Sequence, residues 1–353
     1  MKKLICSLAC LMACVSTGAS AAISQHPVIL IHGFNADQLS EKPNAQQVAL
    51  AGEEGWRSYW LSRSDERIDW PSHERIQGKI ASDYVWPKLQ SLSRNNTCAN
   101  GCIFVTHSTG DLIARHILDN QKRWLENAGL TPLNIVATVD FAGAGGGSEL
   151  ADIAINAAEG GGAGNWTLRQ ALSLWLGMVP TSGNTGVLND LKVANARQLS
   201  AVPDSRVPRV RIVGDSSDFW GLTAGFLPGH DDGVVAAHSS CGAKSAGSYN
   251  SCSAFVGLNG KLTAQSRGVT RFMAQHYPLL MGEDYSHSSL IDNKHEGKVT
   301  TARANLSLSN GKTITVNTED QSSWWSSSVY RYVQHSDSQS MSQLTFNLLE
   351  SAQ

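Results

Sequence analysis

Ile103-Phe104-Val105-Thr106-His107-Ser108-Thr109-Gly110 joins two kinds of sequence in one short stretch. Its first half is apolar and β-branched, the type of run that is buried on both faces of a parallel sheet. Its second half is small and polar around a serine, and helical spacing follows. Ile113, Ala114, Ile117 and Leu118 fall on one face, and Lys122 and Arg123 suit a helix C-terminus. A buried strand, a tight turn carrying Ser108 and a helix are expected in that order. Runs like the first half recur at residues 27–31, 133–139 and 210–213, with helical spacing between them. Strands alternating with helices predict an α/β fold with a mostly parallel sheet.

A serine on such a turn projects its hydroxyl above the sheet edge, where the helix N-terminus offers unpaired N–H groups. Small residues two before and two after it let neighbouring backbone pass closely. Thr106 and Gly110 hold those places, and Thr106 departs from the usual glycine. Taken alone, the stretch also fits a Ser/Thr-rich turn that caps a helix. His32-Gly33-Phe34 changes the balance, because it follows the first buried run. A glycine at a strand end lets the loop backbone aim the Phe34 N–H into a site. With the Thr109 N–H this makes a two-donor oxyanion hole.

On Val28-Ile29-Leu30-Ile31-His32-Gly33-Phe34 and Val105-Thr106-His107-Ser108-Thr109-Gly110, with Leu112, Ala114 and Arg115 following, the chain resembles the α/β-hydrolase superfamily, and within it bacterial secreted lipases and esterases. Gly147-Ser148-Glu149-Leu150-Ala151-Asp152 is similar to a Gly-Ser-x-x-Ala-Asp stretch of lipases. The resemblance spans roughly residues 26–292 and is strongest in the first half. It departs at Thr106 and at Asp111, where lipases commonly have a second glycine. It implies an α/β-hydrolase fold and a chain order of nucleophile, acid, then base. Ser108 takes the nucleophile position.

A serine needs a base to take its proton, and that base needs a carboxylate to orient it. His287 ends an apolar run and short polar loop, residues 277–287, that resembles the loop delivering the hydrolase histidine. His276 is the second candidate, expected at the start of the strand, and His116 is expected on the helix after the serine turn. The acid has four candidates. Asp231-Asp232-Gly233-Val234-Val235 resembles the Asp-Gly-x-Val segment of lipases and puts Asp232 in the acid position, although Asp-Gly is also a turn dipeptide. Asp218 is next, with Asp215 and the adjacent Asp231 behind it. No cofactor is implied. Ser289 stands where some lipases carry a calcium-binding aspartate, so no metal is carried over.

The whole chain has 353 residues, 28 Lys plus Arg against 30 Asp plus Glu, and 32 glycines. Near-neutral charge without a basic cluster argues against nucleic acid as partner. Lys2 and Lys3, an apolar stretch at residues 4–15 and Ala19-Ser20-Ala21 give the order of a secretory signal peptide over residues 1–21. Leu11-Met12-Ala13-Cys14 offers the rival reading of a lipoprotein anchored at Cys14. Export to the periplasm or medium is expected either way. Outside the signal lie Cys98, Cys102, Cys241 and Cys252. An even count in an exported chain suggests disulfides, with the two local pairs preferred over a zinc site.

The hydrolase domain is expected over residues 22–294. Within it, Gly-rich residues 143–208 form a lid or cap insertion with two helical patches, at 150–158 and 168–176. Leu168, Leu172, Trp175 and Leu176 share one side of the second. Such an insertion serves either as a lid over a site or as a fixed helical layer. Residues 295–353 form a C-terminal extension in which Asn310-Gly311 predicts a hairpin with a two-residue turn. Trp324 and Trp325 sit there as an aromatic pair, either hairpin packing or an exposed patch. The expected activity is hydrolysis of carboxylic esters, with an ester or lipid substrate and transient contact with a lipid surface. The alternatives are an acyltransferase, polyester depolymerase or amidase on the same fold, or a hydrolase-like binding protein.

Overall fold

The computed structural model describes residues 23, 25–161, 166–199, 206–322 and 327–353. Residues 1–21 with Cys14, and the pair Trp324 and Trp325, lie outside the described residues. The strands of the central sheet are β1 (Val28–Ile31), β2 (Glu66–Ile68), β3 (Cys102–His107), β4 (Ile135–Phe141), β5 (Arg209–Gly214), β6 (His276–Gly282) and β7 (Thr300–Thr301). Their order is β2-β1-β3-β4-β5-β6-β7. All neighbours pair in parallel except β6 with β7.

The helices are α1 (Gln38–Glu41), α2 (Ala45–Leu61), α3 (Trp86–Arg94), α4 (Gly110–Asn127), α5 (Glu149–Ala158), α6 (Trp166–Leu176), α7 (Leu188–Leu191), α8 (Val193–Leu199), α9 (Ala237–Ser240) and α10 (Met341–Glu350). Period-two side-chain direction sends Ile29, Ile31 and Phe104 to one face of the sheet, into a core shared with Leu112, Ile113 and Ile117 of α4. Val28, Leu30, Ile103 and Val105 face the other way, against Trp56 and Trp60 of α2. Both faces are covered, which is why these runs carry no polar alternation. The result is the mostly parallel, helix-flanked sheet expected from the sequence. No helix among the described residues is long and apolar enough to cross a membrane.

Both expected local cysteine pairs are disulfides, with Cα atoms 5.0 Å apart for Cys98 and Cys102 and 5.2 Å apart for Cys241 and Cys252. The second helical patch of the insertion is α6. Its Leu168, Leu172 and Leu176 enter the core beside α4.

Residues beyond 294 share the core of the rest. They supply β7 to the sheet, and α10 buries Met341, Leu344 and Leu349 in the core cluster that also holds Trp56 and Trp60 of α2. Trp60 Nε1 donates to Ser342 Oγ at 2.9 Å, which ties α10 to α2. The hairpin is present as β8 (Asn305–Ser307) and β9 (Thr313–Thr315), but its turn differs from the expected one. A two-residue turn of the Asn-Gly type needs positive φ at both residues, and here Gly311 has it while Asn310 does not. Gly311 N–H donates to Leu308 O and Leu308 N–H to Lys312 O, closing a three-residue loop with glycine in the left-handed position. The Asn310 side chain sits 2.8 Å from His26 Nε2, a tertiary contact that the local pattern does not contain. A second pair, β10 (Thr318–Ser322) with β11 (Val329–Val333), follows it.

Candidate active site

Ser108 lies between β3 and α4 with φ of 55°, in the left-handed region that L-residues with a Cβ avoid. Hydrogen bonds hold it there. Its N–H donates to Phe141 O at 2.9 Å, and its carbonyl accepts from Ala144 N at 3.0 Å and Asp111 N at 3.2 Å. The need for small residues is concrete on both sides. A Cβ on Gly110 would collide with the Ile31 carbonyl, and one on Gly33 would stand 3.0 Å from Ser108 Cβ. A side chain at 110 is excluded by backbone, and one at 33 would press on the serine itself.

Ser108 opens into a cavity of about 510 Å³ whose wall also includes Phe34, Thr109, Trp175 and His287. The loop carrying Phe34 is fastened at both ends. His32 stacks on Trp70 with ring centroids 5.0 Å apart. Its Nδ1 donates to Gly33 O at 2.7 Å, and its Nε2 accepts from Trp70 N at 3.0 Å. Burial pushes the His32 pKa down, which keeps this ring neutral and able to do both. Asn35 N–H donates to Ser72 Oγ at 2.9 Å on the far side. Neither the Phe34 nor the Thr109 amide donates a hydrogen bond to another described residue. Two unengaged amides flanking a serine are what an oxyanion hole requires.

His287 follows β6, and its Nδ1 lies 2.9 Å from Asp232 Oδ2. Asp232 is fully buried, and its other oxygen accepts from Val234 N at 3.0 Å and Val235 N at 2.7 Å. The His287 N–H in turn donates to Asp232 O at 2.9 Å, so backbone and side chain hold the pair together. Burial pulls the His287 imidazole toward its neutral form. The Asp232 charge and hydrogen bond, with Asp218 nearby, outweigh this and raise its pKa above the ordinary histidine value.

The other candidates are placed elsewhere. Asp218 accepts from Ser286 Oγ at 2.5 Å and from Ser288 N at 3.0 Å, clamping the loop on both sides of His287 without touching its ring. Asp215 pairs with His230 at 2.5 Å. Asp231 accepts from Gly233 N at 2.8 Å. His276 starts β6 as expected and is buried against Arg115. His116 lies on α4, against Trp124.

Three further residues support the site through contacts that the motifs do not specify. His107 Nε2 donates to His287 O at 3.0 Å, bracing the histidine loop from the strand that ends in Ser108. Ser148 caps α5 and donates to Val234 O at 2.7 Å, two residues past Asp232. Trp175 of α6 tilts over Phe34 with centroids 5.9 Å apart, so the insertion forms part of the cavity wall.

No protein-family model matches the chain, and no curated protein matches it. Similar solved structures include a Bacillus licheniformis lipase, BlEst2 in its mature form, at 15% identity and a TM-score of 0.42, over 75% of this chain and 86% of that one. The Staphylococcus hyicus lipase is similar at 14% identity and 0.37, over 75% and 88%. The Legionella pneumophila phospholipase PlaB in complex with thio-NAD is similar at 17% identity and 0.36, over 61% and 43%. Similarity this distant leaves the functional reading to the site's own geometry.

Proposed function

We propose that this chain is a serine hydrolase of carboxylic esters, with Ser108 as nucleophile, His287 as base and Asp232 as the acid that orients it. The supporting observation is the convergence of a strained serine, a carboxylate-held histidine and two unengaged amides on one cavity. In this reading Ser108 Oγ attacks the ester carbonyl while His287 Nε2 takes its proton. Asp232 fixes the tautomer through Nδ1 and stabilises the imidazolium. The Phe34 and Thr109 N–H groups hold the tetrahedral oxyanion. His287 then protonates the leaving alcohol. It next takes a proton from water, whose oxygen attacks the acyl-enzyme, and returns that proton to Ser108 Oγ as the acyl–serine bond breaks and the acid leaves. Labelling with a fluorophosphonate, followed by peptide mapping, is the test. A label on Ser108 that is lost in His287→Ala supports the reading. Folded, unlabelled wild type, with and without detergent, points instead to a hydrolase-like binding protein.

Exposed apolar side chains on the segments that line the cavity support lipid or emulsified esters. Trp220 and Leu222 follow the wall residue Phe219. Trp166 and Leu174 lie on the helix that carries Trp175, and Leu50 precedes the wall residue Ala51. These five are exposed large apolar side chains on segments that also line the cavity. The wall itself carries the carboxylates of Glu54 and Asp218 and, among the described residues, no lysine or arginine. Neutral esters should therefore be preferred over same-length hemiesters with a terminal carboxylate. The expected ratio of kcat/KM is about fivefold, the ~1 kcal/mol of two like charges a few ångströms apart in water. It should shrink in high salt. Equal rates at low salt would argue that the carboxylates do not face the substrate.

A further inference from the structure

Thr106 and Asp111, the two departures from the hydrolase pattern, belong to one fully buried charge network beneath the serine turn. Thr106 Oγ1 donates to Asp140 Oδ1 at 2.7 Å. Asp140 Oδ2 accepts from Thr138 Oγ1 at 2.9 Å and from Arg211 Nη1 at 3.1 Å. The same Arg211 nitrogen donates to Asp111 Oδ2 at 2.6 Å, and Arg115 Nε donates to Asp111 Oδ1 at 2.8 Å. Burial alone would push the Asp111 carboxyl up, but the Arg115 and Arg211 guanidiniums hold it at about 2, so it stays ionised.

Buried ion networks are weak evidence for stability, because well-packed apolar residues often serve as well. What they supply is geometry. A guanidinium is a planar fork of five donors, and here every nitrogen of Arg211 is engaged. Nη2 donates to Gly143 O at 2.6 Å and to Ser239 O at 3.2 Å, and Nε donates to Ser240 O at 2.9 Å. These partners belong to two parts of the candidate site. Asp111 stands three residues past Ser108 on the first turn of α4, and its N–H donates to Ser108 O. Ser239 and Ser240 end the segment that carries Asp232, a segment closed by Ala237 N–H donating to His230 O at 2.8 Å. One side chain thus joins the nucleophile turn to the acid loop.

We propose that Arg211, aligned by the Thr106–Asp140 contact, is a positioning residue that keeps the Ser108 turn and the Asp232 loop in register. The inference rests on the serine-hydrolase reading. It also accounts for the residue at 106: glycine there would leave Asp140 Oδ1 without the hydroxyl that orients it.

Thr106→Val, Thr106→Ser and Arg211→Lys test it, by kcat and KM on a neutral ester, fluorophosphonate labelling rate and melting temperature. Thr106→Val keeps the shape and loses the hydroxyl. Its kcat and labelling rate should fall about threefold to tenfold with KM within about twofold, and Thr106→Ser should recover most of the loss. Arg211→Lys cannot reproduce the fork and should lose up to about a hundredfold in kcat. If it fails to fold, Thr106→Val decides. Folded Thr106→Val with wild-type kcat and labelling rate, and only a lower melting temperature, would overturn the positioning role. A wild type that neither labels at Ser108 nor turns over esters brings down the hydrolase reading itself, a separate outcome.

Discussion

Ser108→Ala and Ser108→Gly should both abolish ester turnover, and the glycine variant should melt at the higher temperature. Loss of a nucleophile that works as part of a triad lowers kcat by on the order of 10⁴ to 10⁶. The stability difference has another origin. Ser108 sits at φ of 55°, where a Cβ meets its own backbone at a cost of about 1–2 kcal/mol. Alanine keeps that cost and glycine removes it. The greater freedom of glycine in the unfolded chain takes back about 0.4–1 kcal/mol. A net gain of about 0–1.6 kcal/mol over Ser108→Ala should remain. Calorimetry on the two variants measures it, and an ester assay measures the rest. Turnover surviving in Ser108→Ala would remove the residue from the mechanism. A glycine variant that melts below the alanine one would show that the turn stores no strain.

That strain is held by contacts that do not themselves react. The Phe141, Asp111 and Ala144 backbones fix Ser108 by hydrogen bonds, and Gly33 and Gly110 leave room for the turn to close. A serine held in this way at the end of an inner strand is costly to the fold, and local strain of this kind clusters at reactive sites.

The strands and the serine turn were legible because their information is local. A run such as 103–106 states its burial by composition, and the small residues around Ser108 state the turn. The aspartates are ranked only by the resemblance of Asp232-Gly233-x-Val235 to a lipase segment, not by local pattern. Asp218 and Asp232 both follow β5 within a region where an acid could be delivered, and only folding brings Asp232 to the His287 ring and Asp218 to the serines beside it. Thr106 looked like a flaw in a motif because its partner, Asp140, is a strand away. The hairpin turn misled for the same reason: the Asn310–His26 contact is tertiary. Likewise nothing in residues 295–353 announces that Met341 and Leu344 join the core cluster that holds Trp56 and Trp60.

The division of labour between the two aspartates gives the sharpest test of the acid. In Asp232→Asn the amide oxygen can still accept from Val234 and Val235, which leaves the NH₂ group facing His287 Nδ1. The ring must then carry its proton on Nε2 and accept at Nδ1, the wrong tautomer for taking the serine proton. A loss of about 10⁴ in kcat is expected with the fold intact. The pH profile should move as well. A base works in its neutral form, so activity falls as pH drops through the His287 pKa. In the wild type that limb should lie above the ordinary histidine value of about 6.5. Without the Asp232 charge the imidazolium loses its main support, and the limb of any residual activity should shift to lower pH. Asp218→Asn should behave differently. It retains one acceptor for Ser286 and Ser288 and leaves the Asp232 contact untouched. A loss of about tenfold or less is expected, from a looser histidine loop, with a small downward shift of the same limb. Rates and pH profiles for the two variants side by side decide the assignment. If Asp218→Asn carries the 10⁴ loss and Asp232→Asn the small one, the acid role belongs to Asp218, and the 2.9 Å contact between Asp232 and His287 is a structural tie.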